Sequence, residues 1–568
     1  MEVKDTLYIY GGRETIAPDQ QNLFTYSLLS GTVTGEGNEA LENGKALHCA
    51  ALNLKEDYVG YIYSMNKIFL EDRLVFRGSI SSFFFTDLSN KRTEVFGTFL
   101  TLCHLSVIEQ AIKESKVNTI IFDTCHKAFE VACRSRFSDL RFICRNPLKN
   151  EKEYIPLFLQ QLKFLTICGL KLLMMKRSMR KEPLQTKIDS LFFSIYPLLL
   201  TKKFVDEKYG DFVKEGDVFL VSMLTDGMHQ RQNLAEFKSG WKALTGAPRH
   251  IFLDSYIHLT DLFRTAVLSV RMEYNLRKLC RRHFIFAGTD LTPYFRKELK
   301  ESFRRLPRLF MYEKPLIRVF TKFRVTRFIY YLHEFSFGRF FTFLLKDKFT
   351  NVTLAGFQHG PAARRKLLYC LAPGEIDNGE RNWLLRLPAP DVVYAEDFAS
   401  QQIYMDQGYP DVRLMERIYR LDYLREIRKD PGAGAILIVP GLHDGTNLLH
   451  TLKKEIESNS ETTYIFKPHP RAQIFNKGLP SQFEISNLIL GDKHISTYLP
   501  ISKEVIVTYS SVGYESWKLG IPVRLVCLPD RINESPLLDY AESGETDKIR
   551  IQWDNVTGES SNHSTQSF

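Results

Sequence analysis

Three short stretches of the sequence bring together residue types that handle phosphates and protons. In Lys467-Pro468-His469-Pro470-Arg471 a histidine stands between two prolines and inside two cations. Each proline fixes its own φ and biases the residue before it to extended geometry, so the imidazole has little freedom left to lose on binding. Lys467 and Arg471 suit a phosphate, the arginine in bidentate fashion. Their charge would depress the histidine pKa until an anion arrives, and a bound phosphate would then favour the protonated ring.

The second stretch is Tyr509-Ser510-Ser511, where the run EVIVTYS passes into SVGYESWKLG. At a strand-to-helix junction the Ser510 and Ser511 hydroxyls and the free N–H groups beyond them can receive phosphate oxygens. The same residues also make an ordinary helix N-cap. Gly513 permits close backbone approach, and Glu515 is expected in the first helical turn, placed to accept from ribose hydroxyls. The third stretch runs from Ala355 to Pro361, where Gly356 and Gly360 bracket His359 and leave its imidazole accessible. Arg364 and Arg365 follow within a turn. Upstream, Glu334 lies just after the run FIYYL among aromatic residues, either as a general base or as a satisfied structural group.

Elements that end at these residues must position them. Short apolar runs recur along the chain, including LYIY (7–10), VNTIIFD (117–123), DVFLVSML (217–224), RHIFLD (249–254), HFIFAG (283–288), VTLAGFQ (352–358), DVVYA (391–395), AILIVPG (435–441), TYIFKP (463–468), EVIVTYS (504–510) and PVRLVCL (522–528). Such runs, spaced by segments of helical length, predict parallel strands buried on both faces in doubly wound α/β layers. Ligands of such sheets sit beyond the carboxyl ends of the strands, where all three stretches fall.

The 568 residues are too many for one core. They divide into an N-terminal α/β region (1–150), a basic amphipathic helical segment (151–208), a Rossmann-like acceptor-side domain (209–430), a Rossmann-like donor domain (431–555) and a disordered polar tail (556–568). The run PLFLQQLKFLTICGLKLLMMK is broken by Lys163 and Lys171, so it makes a poor membrane span. With LFFSIYPLLLTKK it predicts two amphipathic helices. Nine Lys/Arg face two acids between 160 and 203, so these helices either lie on an anionic bilayer surface or pack on a neighbouring domain.

The formal net charge of +10 suits an anionic partner, but no block of like charge forms a nucleic-acid arm. Nine cysteines without a Cys-x-x-Cys pair argue against a zinc ribbon or disulfide framework. The opening residues carry too short an apolar run for a signal peptide, so a cytoplasmic protein is expected. No Asp-x-Asp triplet offers a metal site.

Taken in order, Gln358-His359-Gly360, Lys467-Pro468-His469-Pro470-Arg471 and Tyr509-Ser510-Ser511-Val512 resemble a signature of bacterial GT-B transferases of surface-polymer assembly. These are the CDP-glycerol glycerophosphotransferases and the CMP-sugar transferases of capsules. The segment YLHEFSFGRFF…LAGFQHGPAARR…PAPDVVYAEDFASQQIYMDQGYPDVRLMERIYRLDYL more closely resembles the surface carbohydrate biosynthesis proteins of O-antigen (lipopolysaccharide) clusters. The likeness covers about residues 325–540 and, more loosely, SSFFFTDLSNKRTEVF at 81–96.

The resemblance implies a GT-B fold with a cleft between its parallel-sheet domains. It implies that His469, Ser510 and Ser511 hold the donor phosphates, with Lys467, Arg471, Gly513 and Glu515 beside them. His359 would lie across the cleft, with Gln358, Gly360 and Arg364 on the acceptor side. A loose counterpart of the acidic motif of CMP-sialic-acid polymerising enzymes is Thr225-Asp226-Gly227, and Asp-Gly is also simply a turn. Where many relatives continue Gln-His-Gly with Thr-Pro-Leu-Lys, this chain has Pro-Ala-Ala-Arg-Arg, which favours sugar over glycerophosphate transfer.

The expected activity is therefore metal-independent glycosyl transfer from a nucleotide-activated sugar, of CMP or CDP type, without a further cofactor. Its acceptor would be a growing glycan or a lipid-linked molecule at the inner face of the cytoplasmic membrane, with His359, Glu334 and Asp226 as catalytic candidates. Polyol-phosphate transfer on the same fold and a non-catalytic scaffold of polysaccharide assembly are the alternatives.

Overall fold

The computed structural model describes residues 6–10, 23–28, 33–34, 45–93, 96–114, 117–146, 156–177, 186–195, 206–222, 237–238, 241–242, 249–331, 333–377, 379–430, 432–470, 472–475, 478–528, 531–544 and 546–553. Asp226 and Arg471 fall outside these residues, as does the 556–568 tail.

Three sheets organise the chain. The first holds β1 (Thr6–Tyr10), β2 (Leu23–Ser27) and β3 (Val33–Thr34), then, past a hairpin of β4 (Val75–Phe76) and β5 (Ile80–Ser81), β6 (Thr119–Asp123) and β7 (Arg141–Arg145). Its order is β3-β2-β1-β6-β7, parallel except for the β2–β3 pair.

The second sheet holds β8 (Lys187–Ile195), β9 (Val218–Ser222) and β10 (His250–Phe252), then, past a hairpin of β11 (Ile285–Phe286) and β12 (Thr289–Asp290), β13 (Arg324–Tyr330), β14 (Thr353–Phe357), β15 (Val392–Ala395) and β16 (Val412–Leu414). All its pairs are parallel, in the order β10-β9-β8-β13-β14-β15-β16. The third sheet holds β17 (Ala435–Val439), β18 (Tyr464–Phe466), β19 (Leu488–Leu490), β20 (Ser502–Val507), β21 (Val523–Cys527) and β22 (Ile549–Trp553). It is parallel throughout and ordered β19-β18-β17-β20-β21-β22.

Numbered from its own first strand, the third sheet reads 3-2-1-4-5-6, the order of dinucleotide-binding sheets, and the second reads the same with one strand added. Parallel neighbours need crossovers, and helices Ser336–Lys348, Gly445–Ser458 and Ser511–Lys518 supply three of them. The α/β expectation is met: two Rossmann-like parallel sheets, with an additional N-terminal α/β region. The first and second sheets share one continuous apolar core, whereas the third packs separate clusters on its two faces.

The segment expected as two basic helices divides differently. Leu157–Arg177 is a helix; over Leu157–Met175 it is long and apolar enough to cross a membrane by length and composition, yet one face of it packs on helices Leu259–Leu279 and Thr292–Met311. The described part of the second half is not helical. Lys187–Ile195 is β8, the strand at which the order of the second sheet reverses, and it is buried from Ser190 to Ile195. A short apolar run has no period of its own to tell strand from helix, and its aromatic content is the better guide. HFIFAG, expected as a sheet strand, supplies only an arm of the β11–β12 hairpin.

A strap from the N-terminal region joins the sheets. Residues 81–91 are buried without interruption. Asp87 accepts from Arg305 at 2.8 Å, Ser89 from Arg339 at 2.7 Å, and Lys91 pairs with Glu375 at 3.0 Å with both side chains fully enclosed. Just past the strap Thr93 reaches Glu534, and from the earlier helix Lys45–Ser64 His48 accepts from the Asn533 backbone at 2.8 Å, so the N-terminal region also touches the third-sheet half.

Candidate functional site

In a sheet of this order the chain leaves the first and fourth strands in opposite directions, opening a crevice at their carboxyl ends. In the third sheet those strands are β17 and β20. Gly441, just past β17, donates its N–H to the Thr508 hydroxyl at 3.1 Å, and the Tyr509 ring lies directly over it. A Cβ on Gly441 would fall 2.2 Å from that ring, so only glycine fits. Two helix N-termini, those of Gly445–Ser458 and Ser511–Lys518, border the crevice and turn the positive ends of their dipoles toward it.

Ser510 is the N-cap of the second of these helices, its hydroxyl accepting from Val512 N–H at 3.4 Å, a long contact that leaves the oxygen available to another donor. Gly513 makes its close approach to the protein itself: a Cβ there would sit 2.7 Å from both Val507 and Leu537. Glu515 lies beyond the first turn, a correction to the sequence reading, because the helix begins only at Ser511. Lys467 and the partly exposed His469 follow β18, the neighbour of β17, and the Lys467 ammonium donates to the Gly491 carbonyl at 3.3 Å. Since β17 lies between them, the ends of β18 and β20 are two strand spacings apart, about 10 Å.

The second sheet contributes the opposite wall. Gln358 is buried and fully engaged: its amide donates to the Gly360 carbonyl at 2.7 Å and to Ser400 at 2.9 Å, and its oxygen accepts from Glu396 N–H at 2.8 Å. It fixes the loop that carries His359. The His359 ring meets Tyr331 at 5.3 Å between centroids. Desolvation first, then Lys208, His333, Arg420 and Lys366, hold its pKa well below the ordinary value, so the neutral imidazole is the favoured form. Near it Asp206, buried after β8, accepts from Ser194 at 2.7 Å, and burial pushes its carboxyl up to about 6.

Glu334 is buried with His333, whose Nδ1 lies 3.3 Å from the carboxylate. The imidazole packs against Gly356, where a Cβ would come within 2.7 Å of the ring. Burial depresses the His333 pKa. Arg364 points its side chain to solvent and donates its backbone N–H to Asp539 at 3.0 Å, while the buried Arg365 pairs with Asp539 and Glu542. The two arginines thus tie the β14 loop to the helix after β21.

A residue absent from the sequence reading joins the two walls. Arg420 grips Glu396, at the end of β15, through two hydrogen bonds of 2.7 and 2.9 Å. Its other amino group lies 3.6 Å from Glu515, which also accepts from Tyr423 at 2.5 Å and from Ser511 at 3.3 Å. Beside this tie Tyr514 donates to Asp397 at 2.6 Å. His359, Ser511 and Glu515 therefore belong to one neighbourhood with Arg420 at its centre. Among the described residues no group of three or more His, Cys, Asp or Glu is arranged to hold a metal ion.

No family profile matches the chain. No curated protein matches it in sequence. Among solved structures it is similar to the UDP-GlcNAc 2-epimerase of Neisseria meningitidis bound to UDP-GlcNAc, at 10% identity over 64% of this chain and 86% of that one, with a TM-score of 0.36. It is also similar to the spinosyn rhamnosyltransferase SpnG, at 12% identity over 65% of this chain and 87% of the other, with a TM-score of 0.34. A S. aureus MnaA structure with UDP is similar at 10% identity, 65% and 85% coverage and a TM-score of 0.33. Scores of this size leave the fold to the strand orders described above.

Proposed function

We propose that the chain is a glycosyltransferase that moves a sugar from a nucleotide-activated donor, of CMP or CDP type, to a growing surface glycan or a lipid-linked acceptor. The observation that carries this reading is the apposition, through Arg420, of the loops after β14 and β15 to the helix after β20, with a neutral histidine on one wall and two helix N-termini on the other. Donor phosphates would rest on the helix-end N–H groups, Ser510, Ser511, Lys467 and His469, which offset the charge that develops as the nucleotide leaves. His359 would take the proton from the acceptor hydroxyl, since its environment keeps it unprotonated. Glu334 serves by holding His333 and the loop end rather than by meeting substrate, because its carboxylate is buried. Cations and backbone donors supply the stabilisation of the leaving group without a metal ion.

A thermal-shift panel of CMP, CDP, UDP and GDP tests the donor side. A cytidine nucleotide at about 100 times its Kd is expected to add about 2.7 kcal/mol of stability, and a larger shift with UDP or GDP overturns the nucleotide assignment. His359→Ala is expected to keep that shift and lose at least about 100-fold in turnover. His469→Ala with turnover within a few-fold of wild type removes the donor-phosphate role.

A further inference from the structure

Helix Leu259–Leu279 is apolar on both of its faces. One face, with Leu262, Met272, Leu276 and Leu279, is buried in the core. The other exposes Leu259, Phe263, Val267, Val270 and Tyr274, each more than half accessible to solvent. Their spacing of four, four, three and four residues places them in one stripe. The neighbouring helix Leu157–Arg177 exposes Leu159, Leu162, Leu170 and Leu173 as well. Isolated exposed leucines need no explanation, but a contiguous apolar stripe of this length calls for a covering partner.

The charges around the stripe identify that partner. A cavity of about 550 Å³ opens beside Phe263 and Val267, with Phe76, Phe310 and Met311 in its lining. Arg73, Arg77, Arg264, Arg271 and Lys314 also line it, against the carboxylates of Asp261 and Glu313. Asp261 is taken by Arg318, and Glu313 by Arg77, with Arg264 and Lys314 more loosely paired to it at 3.7 and 4.0 Å. Arg73 and Arg271 make no ion pair among the described residues, so the cavity is cationic over an apolar floor. Arg73 and Arg77 both hold left-handed backbone, with φ of 54° each, a conformation rarely adopted by residues with side chains and concentrated where a site is shaped.

We propose that this face docks on an anionic phospholipid bilayer: the Phe263–Val267–Val270 stripe enters the headgroup and acyl boundary, and the arginine-lined cavity receives a lipid phosphate. Apolar side chains flanked by arginines are the chemistry of an in-plane membrane helix. The geometry is also economical for catalysis. The helix starts directly after β10, at the carboxyl end of the second sheet, where the His359 loop also lies. Four strand spacings separate β10 from β14, about 19 Å, so an acceptor held in that bilayer would present its head to the cleft. The proposed contact centres on 259–274, with the exposed leucines of Leu157–Arg177 beside it, while the strand Lys187–Ile195 is buried from Ser190 onward. The inference deepens the reading above, since a lipid-linked acceptor gives the docking its purpose, but it is tested by partitioning and not by turnover.

The test is flotation of the full chain with vesicles of phosphatidylcholine alone and with 30% phosphatidylglycerol (about one lipid in three, enough to give a negative surface). Phe263→Glu/Val267→Glu and Arg264→Glu/Arg271→Glu are compared with wild type, and circular dichroism and thermal midpoints verify folding. Wild type is expected to float with the anionic vesicles and to be released by high salt. The arginine variant should partition at least about 30-fold more weakly, from about 1 kcal/mol for each arginine lost. The stripe variant should lose binding at every salt concentration. Folded variants that float like wild type overturn the proposal, as does equal flotation with both vesicle types. A wild type that dimerises in solution through this stripe, with no vesicle binding, overturns it in favour of a second copy of the chain. Cytidine-nucleotide binding that survives in non-floating protein separates this failure from failure of the transferase reading.

Discussion

Replacing Arg420 with methionine removes the cation shared by two carboxylates from different sheets. The Arg420 side chain is 12% exposed, Glu396 2% and Glu515 9%, so water replaces little of the lost charge. Breaking such a pair from one side costs about 3–5 kcal/mol, because the remaining charge is left buried. The loss should depend on pH. Burial already raises the Glu396 pKa with Arg420 opposing it, and without the arginine it rises further. A carboxyl with a folded pKa above its unfolded one contributes stability below the unfolded value, and that contribution is lost as pH rises through the folded value. Arg420→Met should therefore cost more at pH 8 than at pH 5. Adding Glu396→Gln should recover part of the loss at pH 8 and little at pH 5. Urea titration of the wild type, both single variants and the double variant measures the coupling, expected above about 2 kcal/mol at pH 8. A cost below about 1 kcal/mol for Arg420→Met, or independence of the two substitutions, would refute the tie between the walls.

Two further outcomes follow from single residues. Asp206→Asn should stabilise the protein above pH 6 relative to pH 4, because a carboxyl held up to about 6 opposes folding once it ionises; the gap between variant and wild type in denaturant midpoints at pH 4.5 and pH 8 measures this. Gly441→Ala should cost about 1–3 kcal/mol by overpacking against Tyr509 and weaken nucleotide binding, and the extra cost of the alanine should nearly vanish in a Tyr509→Ala background.

The parts of this fold that the sequence makes legible are those carried by buried parallel strands, whose apolar runs need no tertiary information. β13, β14, β17, β18 and β20 are of this kind, and the residues just past them are found at the crevices. β7 and β22, by contrast, read RFICR and IRIQW; each is an edge strand, exposed on much of its surface and therefore charged. β16 and β19 are only three residues long, too short to show alternation. Arg420 was invisible for another reason. It lies 24 residues from Glu396 and reaches a helix of the other sheet, a partnership set by how the sheets approach rather than by spacing. Its one local signal is Glu396 itself, a carboxylate placed at the end of an apolar strand, where a buried charge requires a partner.

The buried strap has a consequence for how the protein is made. Residues 81–91, with three consecutive phenylalanines at 83–85, leave the ribosome long before their partners. Lys91 waits for Glu375, 284 residues later (375 − 91), which at about 5–20 residues per second is roughly 15–60 s of synthesis. Thr93 and His48 wait longer still, for Glu534 and Asn533. During that interval the N-terminal sheet can form, but the strap has no pocket to enter and exposes an aromatic segment to solvent. Translation speed and chaperone occupancy should therefore govern the yield of native protein more than the final stability of either sheet.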